Sequence, residues 1–442
     1  MKFKKEINAK EFFRFLVPSI LNMLFIAAYI ITDGYFVSRF VGSDALASVN
    51  LIIPVNSAIF AIGLMFAAGG GALISIKLGE GDKETASKYF SNLLLVAVIL
   101  GAIISAIFFL FKGTALSLLG VNSELWEYAD TYSFYTFLTF PLLIGKIIFA
   151  VLLRAAGDPK ASLIVSVVGG VTNVVLDFLF IVILDMGIAG AGLATMLGFA
   201  VAWIYSLWYF RSSKSLLKFG FYPINKKFMT SVVVNGSSEM ISELAIGFTA
   251  LIFNHLCLKY AGNDGIAAIS AILYVNLLVA NTFYGFAMGA APLISYYFGK
   301  KDFDNLNKVR KYTLDSLMLV SPILVAAIIL GKDYFVSIFF EASNPAYDLA
   351  VQGLSIFAFG FLFIGYNLYG SAMFTALSNG KISALISFSK SFVIFSIIAY
   401  ALPKMMGVNG IWLIMPLVEL TITFMVFYLT RERRMKKYLV PA

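Results

Sequence analysis

One histidine, His255, and one cysteine, Cys257, are all that 442 residues supply of those two side chains. A lone cysteine excludes an internal disulfide and a thiolate metal cluster. A lone histidine argues against most imidazole-based metal or acid–base sites. His255 falls near the outer end of an apolar segment and reads as an interfacial or packing residue, Cys257 as a small apolar one. Charge is scarce too: Asp, Glu, Lys and Arg make up 13% of the chain against 60% hydrophobic residues, and the mean hydropathy is strongly positive. A soluble fold of this length would need far more charge to cover its surface. No lysine–serine pair follows the run Gly69–Gly70–Gly71, so it is no phosphate loop, and ATP is not expected as a partner. The net charge of +9 could suggest nucleic acid, but the basic residues sit in short connections between apolar runs, where they orient a protein in a membrane. Nucleic acid is not expected as a partner either.

What remains is a series of twelve long apolar segments, at roughly 12–38, 45–77, 86–111, 122–153, 160–184, 188–210, 228–258, 265–298, 304–330, 346–376, 381–402 and 408–430. Most exceed the ~20 residues needed to cross a bilayer, so several should tilt or bend. Pro18, Pro54, Pro141, Pro292, Pro322 and Pro416 each remove a backbone donor mid-segment and are the expected bends. The longest polar connection, RSSKSLLKFGFYPINKK (Arg211 to Lys227), divides the chain into a lobe at 1–210, a linker at 211–227 and a lobe at 228–442.

The second lobe repeats the plan of the first. AAGGGALIS (Ala67 to Ser75) returns as AMGAAPLIS (Ala287 to Ser295), and GSDALAS (Gly42 to Ser48) as GNDGIAA (Gly262 to Ala268). At the same offset of about 220 residues, Gly79 and Asp82 answer to Gly299 and Asp302. Two related bundles of this kind are a common plan for secondary transporters, with the cargo bound between or within the halves. Positive charge alternates in keeping with such a fold. One side collects Lys2, Lys4, Lys5, Lys83, Lys88, Lys214, Lys226, Lys227, Lys300, Lys301, Arg433, Arg434, Lys436 and Lys437, among others. The other has only Arg39, Lys112, Lys259, Lys332 and Lys404. Both termini are therefore expected in the cytoplasm, with the chain multi-pass in the plasma membrane.

Intramembrane acids mark the functional positions. Asp33 and Asp177 lie well inside apolar runs, where an unpartnered carboxylate costs at least ~2.5 kcal/mol on insertion scales. Asn173 precedes Asp177 by one helical turn and shares its face, and Thr195 adds a hydroxyl from mid-span. Oxygen-rich groups of this sort suit a hard cation such as Na+. Two close carboxylates in a low dielectric would equally suit a shared proton. The repeat offset puts Phe253 at the place of Asp33 and Ile398 at that of Asp177, so the second lobe lacks this set. It carries instead Glu239 and Glu243, one turn apart, at the places of Ser19 and Met23. These make a possible second acidic site, although Glu239 also reads as a solvated residue near the cytoplasmic mouth. Lys146 is a mid-span cation that could pair with an acid such as Asp177 or reach an anionic substrate; snorkelling or a structural pair is the simpler reading. Asp315 and Glu419 are intramembrane acids to which the sequence assigns no role.

The first span and its turn, PSILNMLFIAAYIITDGYFVSRFVGSDALASVNLIIPV (Pro18 to Val55), resemble the opening of the multidrug and toxic compound extrusion (MATE) family. The shared features are a proline, a mid-span aspartate, a VG turn, an ALA motif and a second proline. GGVTNVVLDFLFI (Gly169 to Ile181) is similar to that family's N-x-x-x-D signature. The resemblance implies an all-α protein of twelve transmembrane helices in two pseudo-symmetric six-helix lobes. It further implies a V-shaped antiporter that expels organic compounds as a cation enters, working as a monomer without a cofactor. It carries Asp33, Asn173, Asp177 and Thr195 over as the ion site, for Na+ or H+, and a glutamate of the seventh span as an essential acid.

Two other classes compete. A flippase for lipid-linked saccharides, of the same broad superfamily, would want a large basic cavity. Here the mid-membrane charges are mostly acidic, with Lys146 and Lys390 the main exceptions. A membrane-embedded enzyme would need a catalytic cluster, and one histidine and one cysteine leave little beyond the Asp33–Asp177 pair. Aromatic residues, 16% of the chain, offer surfaces for flat organic cations but are also ordinary core and lipid-facing material.

Overall fold

The computed structural model describes residues 3, 6–212 and 215–431. Lys2, Lys4, Lys5, Lys214, Arg433, Arg434, Lys436 and Lys437 lie outside the described residues, as do the outer ends of the two lobe ranges. Among the described residues the regular structure is helical, and eleven continuous helices are long and apolar enough to cross a membrane. The longest, Lys226–Gly299, has 74 residues and would extend ~110 Å if straight, several times the ~30 Å hydrocarbon core. It folds back at Gly262, whose φ of 65° is in the left-handed region that favours glycine. That break makes twelve spans.

These are α1 (Ala9–Val41), α2 (Ser43–Gly79), α3 (Lys83–Leu110), α4 (Trp126–Ala155), α5 (Pro159–Ile183) and α6 (Gly187–Arg211) in the first half. The second half has α7 (226–261), α8 (263–299), α9 (Phe303–Leu330), α10 (Pro345–Ala376), α11 (Gly380–Met406) and α12 (Val408–Thr430). The chain is thus a multi-pass membrane protein with the expected twelve helices in two lobes. The paired motifs have paired geometry: Gly42, joining α1 to α2, is left-handed (φ 125°) like its counterpart Gly262. Asp82 and Asp302 turn out to be matching helix caps, accepting from Thr85 N (3.0 Å) and Asn305 N (3.2 Å). Asn8, Asp158 and Asn225 cap α1, α5 and α7 in the same way.

Along α3, Leu95, Ile99, Ile103, Ile107 and Leu110 form an exposed apolar stripe at near-helical spacing. In water such a stripe would be a liability; against lipid it is the solvated face. Among the described residues the connection after α6 runs without helix, and it is strapped to α3. Ser87 and Ser91 accept from the backbone N–H groups of Lys218 and Gly220 (both 3.1 Å), and Asn92 accepts from Asn225 N (2.8 Å).

The lobes meet by exchanging helix starts. Phe12, Phe15 and Leu16 of α1 are buried in the apolar core of the second lobe. Phe228 and Val232 of α7 are buried in that of the first. Backbones touch directly there: a Cβ on Gly69 of α2 would strike the Val232 carbonyl, and one on Gly236 of α7 the Met65 carbonyl. The cores themselves differ. The second lobe has one continuous apolar cluster, whereas the first has two. One runs from Ile59 to Phe210 and the other gathers Val37, Tyr132, Ile181 and Ile188.

The six prolines expected to bend the spans all lie inside helices. Departures from α-helical hydrogen bonding fall elsewhere: Val37–Val41, Phe178–Ile183 and Ser389–Ile394 are π-helical, and Ala358–Gly360 is a 3-10 turn.

Candidate functional site

Between the two apolar clusters of the first lobe lie Asp33, Asn173, Asp177 and Thr195. Helix α5 sets Asn173 and Asp177 on one face, and both are buried, at 3% and 0% exposure. Helix α6 comes close because Gly198 presents no side chain to Asn173, whose Cβ a Cβ there would crowd at 3.1 Å. One turn away, Thr195 then reaches Asn173, whose Nδ2 donates to Thr195 Oγ1 (3.3 Å). From α1, the partly buried Asp33 carboxyl interacts directly with Asp177 and Asn173. The structure thus brings together the four residues named from the sequence.

The chemistry of the cluster is one-sided. Asp33 Oδ1, Asn173 Oδ1 and both carboxylate oxygens of Asp177 are buried and accept no hydrogen bond among the described residues. Buried acceptors without donors are costly, so this arrangement is unfavourable unless a cation or a proton supplies the missing positive charge. No group of three or more His, Cys, Asp or Glu side chains converges among the described residues. A cation here would therefore meet carboxylate, amide and hydroxyl oxygens, the donor set of a hard ion. Tyr132 of α4, buried and within the electrostatic field of both carboxylates, belongs to the same surroundings and was not anticipated.

Local backbone geometry singles out the same residues. Asp177 is the last residue before the π-helical Phe178–Ile183, and Asp33 lies one turn before Val37–Val41. The third π-helical stretch, Ser389–Ile394, contains Lys390. Every π-helical stretch among the described residues therefore adjoins an intramembrane charge, and such stretches are frequent at functional sites.

Lys390 belongs to the second lobe's polar centre. Its Nζ forms an ion pair with Glu419 Oε1 at 2.7 Å, and Glu419 is only 1% exposed. Asn367 Nδ2 donates to Glu419 Oε2 (2.7 Å), and Thr423 Oγ1 donates to Asn367 Oδ1 (3.0 Å). Beside this network opens a cavity of ≈ 570 Å³ whose walls include Glu239, Tyr284, Lys390, Glu419, Met288 and Arg154. Glu239 faces this cavity and makes no ion pair among the described residues; Glu243, one turn on, does not line it. Arg154, at the end of α4, is buried and donates to Ser162 Oγ (2.8 Å) and across the lobes to Met288 Sδ (3.4 Å).

Several sequence readings change. Lys146 does not pair with Asp177: its ammonium sits 4.4 Å from the Phe199 ring centroid and 3.5 Å from the Tyr29 hydroxyl, in an aromatic setting. Glu419, given no role from the sequence, is the anchor of the second-lobe network. Asp315 is exposed on α9 and His255 on α7, while Cys257 is buried in the second-lobe core.

Comparison with known proteins gives the same pattern twice over. The family model described as MatE matches residues 18–179 and again 240–401, once in each lobe. The multidrug export protein MepA of Staphylococcus haemolyticus is 24% identical over 438 residues, covering 98% of this chain and 95% of that protein. MepA of Staphylococcus aureus is 24% identical over 443 residues, covering 98% and 96%. Among solved structures, the outward-facing conformation of a multidrug resistance MATE family transporter of the MOP superfamily is similar with a TM-score of 0.90. Identity there is 20%, over 97% of this chain and 96% of that one. A MOP superfamily transporter from Pyrococcus furiosus, described as having a binding pocket of reversed polarity, gives a TM-score of 0.90 at 21% identity, over 98% and 97%.

Proposed function

The chain belongs to the MatE family, a family of transporters and not of enzymes, and from that premise we propose that it is a cation-coupled antiporter. It exports organic, cationic amphipathic compounds while Na+ or H+ enters, by alternating access. The observation that carries this reading is the set of buried, donorless oxygens on Asp33, Asn173 and Asp177. With Thr195 they form the coupling-ion site. The ≈ 570 Å³ cavity takes the organic compound, with the unpaired carboxylate of Glu239 and the Tyr284 ring drawing a cation. Glu239, with Glu243 one turn on, is the second acidic site.

The lobes at 1–210 and 228–442 move about their shared contact, with the linker 211–227 on the cytoplasmic side. Both termini are cytoplasmic, the membrane is the plasma membrane, and the working unit is a monomer. Exchange requires that the coupling ion bind one of the two access states more tightly than the other; nearness of ion and cargo would not suffice. Both bind outward-facing protein with unequal consequences: ion entry neutralises the Asp33–Asp177 cluster, the adjoining π-helical stretches repack, and affinity for the organic cation falls.

The test uses purified protein in liposomes loaded with a fluorescent organic cation, with Na+ and pH gradients imposed separately at clamped potential. Efflux driven by Na+ alone makes the first-lobe cluster a sodium site, and efflux driven only by pH makes the carboxylates proton carriers. No coupled movement under either gradient overturns the antiport reading and puts saccharide–lipid flipping first.

A further inference from the structure

The first lobe holds carboxylates without a cation and, close by, an ammonium without a carboxylate. Away from the helix ends, the charged side chains of its spans are Asp33, Asp177 and Lys146. Lys146 of α4 is 8% exposed and forms no ion pair among the described residues. Aromatic groups hold its ammonium instead. It lies 5.1 Å from the Tyr29 ring centroid and 4.4 Å from that of Phe199, with a long contact to the Tyr29 hydroxyl (3.5 Å). Such contacts hold a buried cation less firmly than a charge-assisted bond to a carboxylate. The second lobe shows that alternative, with Lys390 bonded to Glu419 at 2.7 Å.

The aromatic cage stands one helical turn from the ion cluster, and three helices agree on that placement. On α1, Tyr29 precedes Asp33 by one turn; on α6, Phe199 follows Thr195 by one turn. On α5, Gly170 precedes Asn173 by one turn and lies against the Tyr29 ring, which a Cβ there would approach at 3.4 Å. Each step runs toward the end of the lobe where α1 and α5 begin and α6 finishes. The backbone beside Lys146 is pinned. Trp203 of α6 donates to the Leu142 carbonyl (2.8 Å), and a Cβ on Gly145 would strike the Trp203 ring. The ammonium therefore moves on its own flexible four-carbon stem, and one turn, about 5.4 Å along a helix, is within that stem's sweep. The other ionisable groups facing this space are Tyr29 of α1 and Tyr132 of α4. Helix α6 carries no acid, and those of α2 and α3 stand in their first turns.

We propose that Lys146 is a tethered counter-cation that alternates with the coupling ion at the Asp33–Asp177 carboxylates. While the ion is bound, the ammonium rests in the cage of Tyr29 and Phe199. When the ion leaves, the ammonium swings one turn and takes the carboxylates, so they are never left as bare buried charges. With Na+ the exchange is one monovalent cation for another. With H+ the carboxyl proton departs to water, and the ammonium, keeping its own protons, answers the carboxylate that remains. Competition of this kind lowers the affinity for the ion and speeds its release on the side where α1 begins. It also explains why the first lobe keeps a buried lysine that pairs with nothing. The inference rests on the reading of the first-lobe cluster as the coupling-ion site and adds to it the residue that empties that site.

Export rates in proteoliposomes, measured against Na+ concentration and against pH, separate ion affinity from maximal rate. Lys146→Met keeps an apolar stem in the cage and deletes the charge; Lys146→Gln does so with a polar end and carries the test where the first variant does not fold. Lys146→Arg keeps the charge. In the two neutral variants the half-saturating Na+ concentration should fall roughly tenfold, the order of one unit charge's effect across a partly dry interior. If H+ is the coupling ion, the half-maximal pH should rise by about one unit, the same factor. Maximal export should fall in both, because the ion is held and not displaced, while Lys146→Arg stays near wild type. Unchanged ion affinity in the neutral variants overturns the counter-cation. So does a weakened affinity shared by all three variants, which marks a packing role. Wild-type protein driven by an ion, with the neutral variants unmoved, removes the counter-cation and leaves the coupling site standing. Wild-type protein that couples export to neither ion removes both.

Discussion

At matching places in the repeat, the two lobes have opposite interiors. The first lobe's apolar core is broken in two, and Asp33, Asn173, Asp177 and Thr195 occupy the break, with oxygens of the first three lacking donors. In the second lobe Phe253 stands where Asp33 would, tilted against Phe357 and edge-on to Phe395 at centroid distances of 6.2 and 5.6 Å, and the core runs through. The second lobe's own buried acid, Glu419, is held by Lys390 and Asn367. An acid left unpaired is ready for an ion that comes and goes, whereas an acid with a built-in cation is already neutralised. On the proposed reading, burial alone does not suit a carboxylate to coupling; the absence of a resident cation does.

The sharpest way to break this contrast is Asp177→Asn. Coupled export should fall roughly a hundredfold or more, while the melting temperature in detergent holds or rises, since the amide removes a carboxylate set against that of Asp33. Full transport in this variant would end the assignment. In the second lobe the expected loss is in stability instead. Lys390→Met leaves Glu419 buried and uncompensated, at a cost of about 3–5 kcal/mol, and adding Glu419→Gln should recover most of it. A double variant as unstable as the single one would show that the ion pair is not the reason.

Smaller effects sharpen the picture within the second lobe. Glu239→Gln should weaken binding of an organic cation about tenfold (~1.4 kcal/mol), read by fluorescence titration. Glu243→Gln should alter the pH profile of export, and unchanged export across pH would remove Glu243 from the second acidic site. Smallest are Asp82→Ala and Asp302→Ala, each costing about 1 kcal/mol as a lost cap and similar in the two lobes. The backbone bond from Thr85 holds the Asp82 carboxyl below its ordinary range. Its contribution is therefore complete at neutral pH and is lost as pH falls through that lowered value. A thermal-shift series against pH should show this for wild type and not for Asp82→Ala.

Hydropathy made the twelve spans legible, and the repeat made Gly42 and Gly262 legible as equivalent turns. The first-lobe cluster could be read because Asn173 and Asp177 sit on one helix at a spacing that needs no tertiary knowledge. Lys390, Glu419 and Asn367 could not, because they lie on three helices with no sequence spacing to connect them. The repeat even pointed away from them, to Phe253 and Ile398. The π-helical stretches were hidden for a related reason: hydrogen-bond register shifts answer to packing, and the prolines that looked like bends remain inside helices.

The exchange of helix starts between the lobes bears on how two such different halves can share one seam. Where Gly69 meets Val232 and Gly236 meets Met65, the touching surfaces are main chain. Main-chain contact is blind to most side-chain substitutions elsewhere, so either lobe can be rewired internally without the seam between them coming unstitched. The seam demands only that these few glycines stay glycine; the interiors on either side are free to drift apart, one leaving its buried carboxylates bare, the other giving its buried acid a lysine.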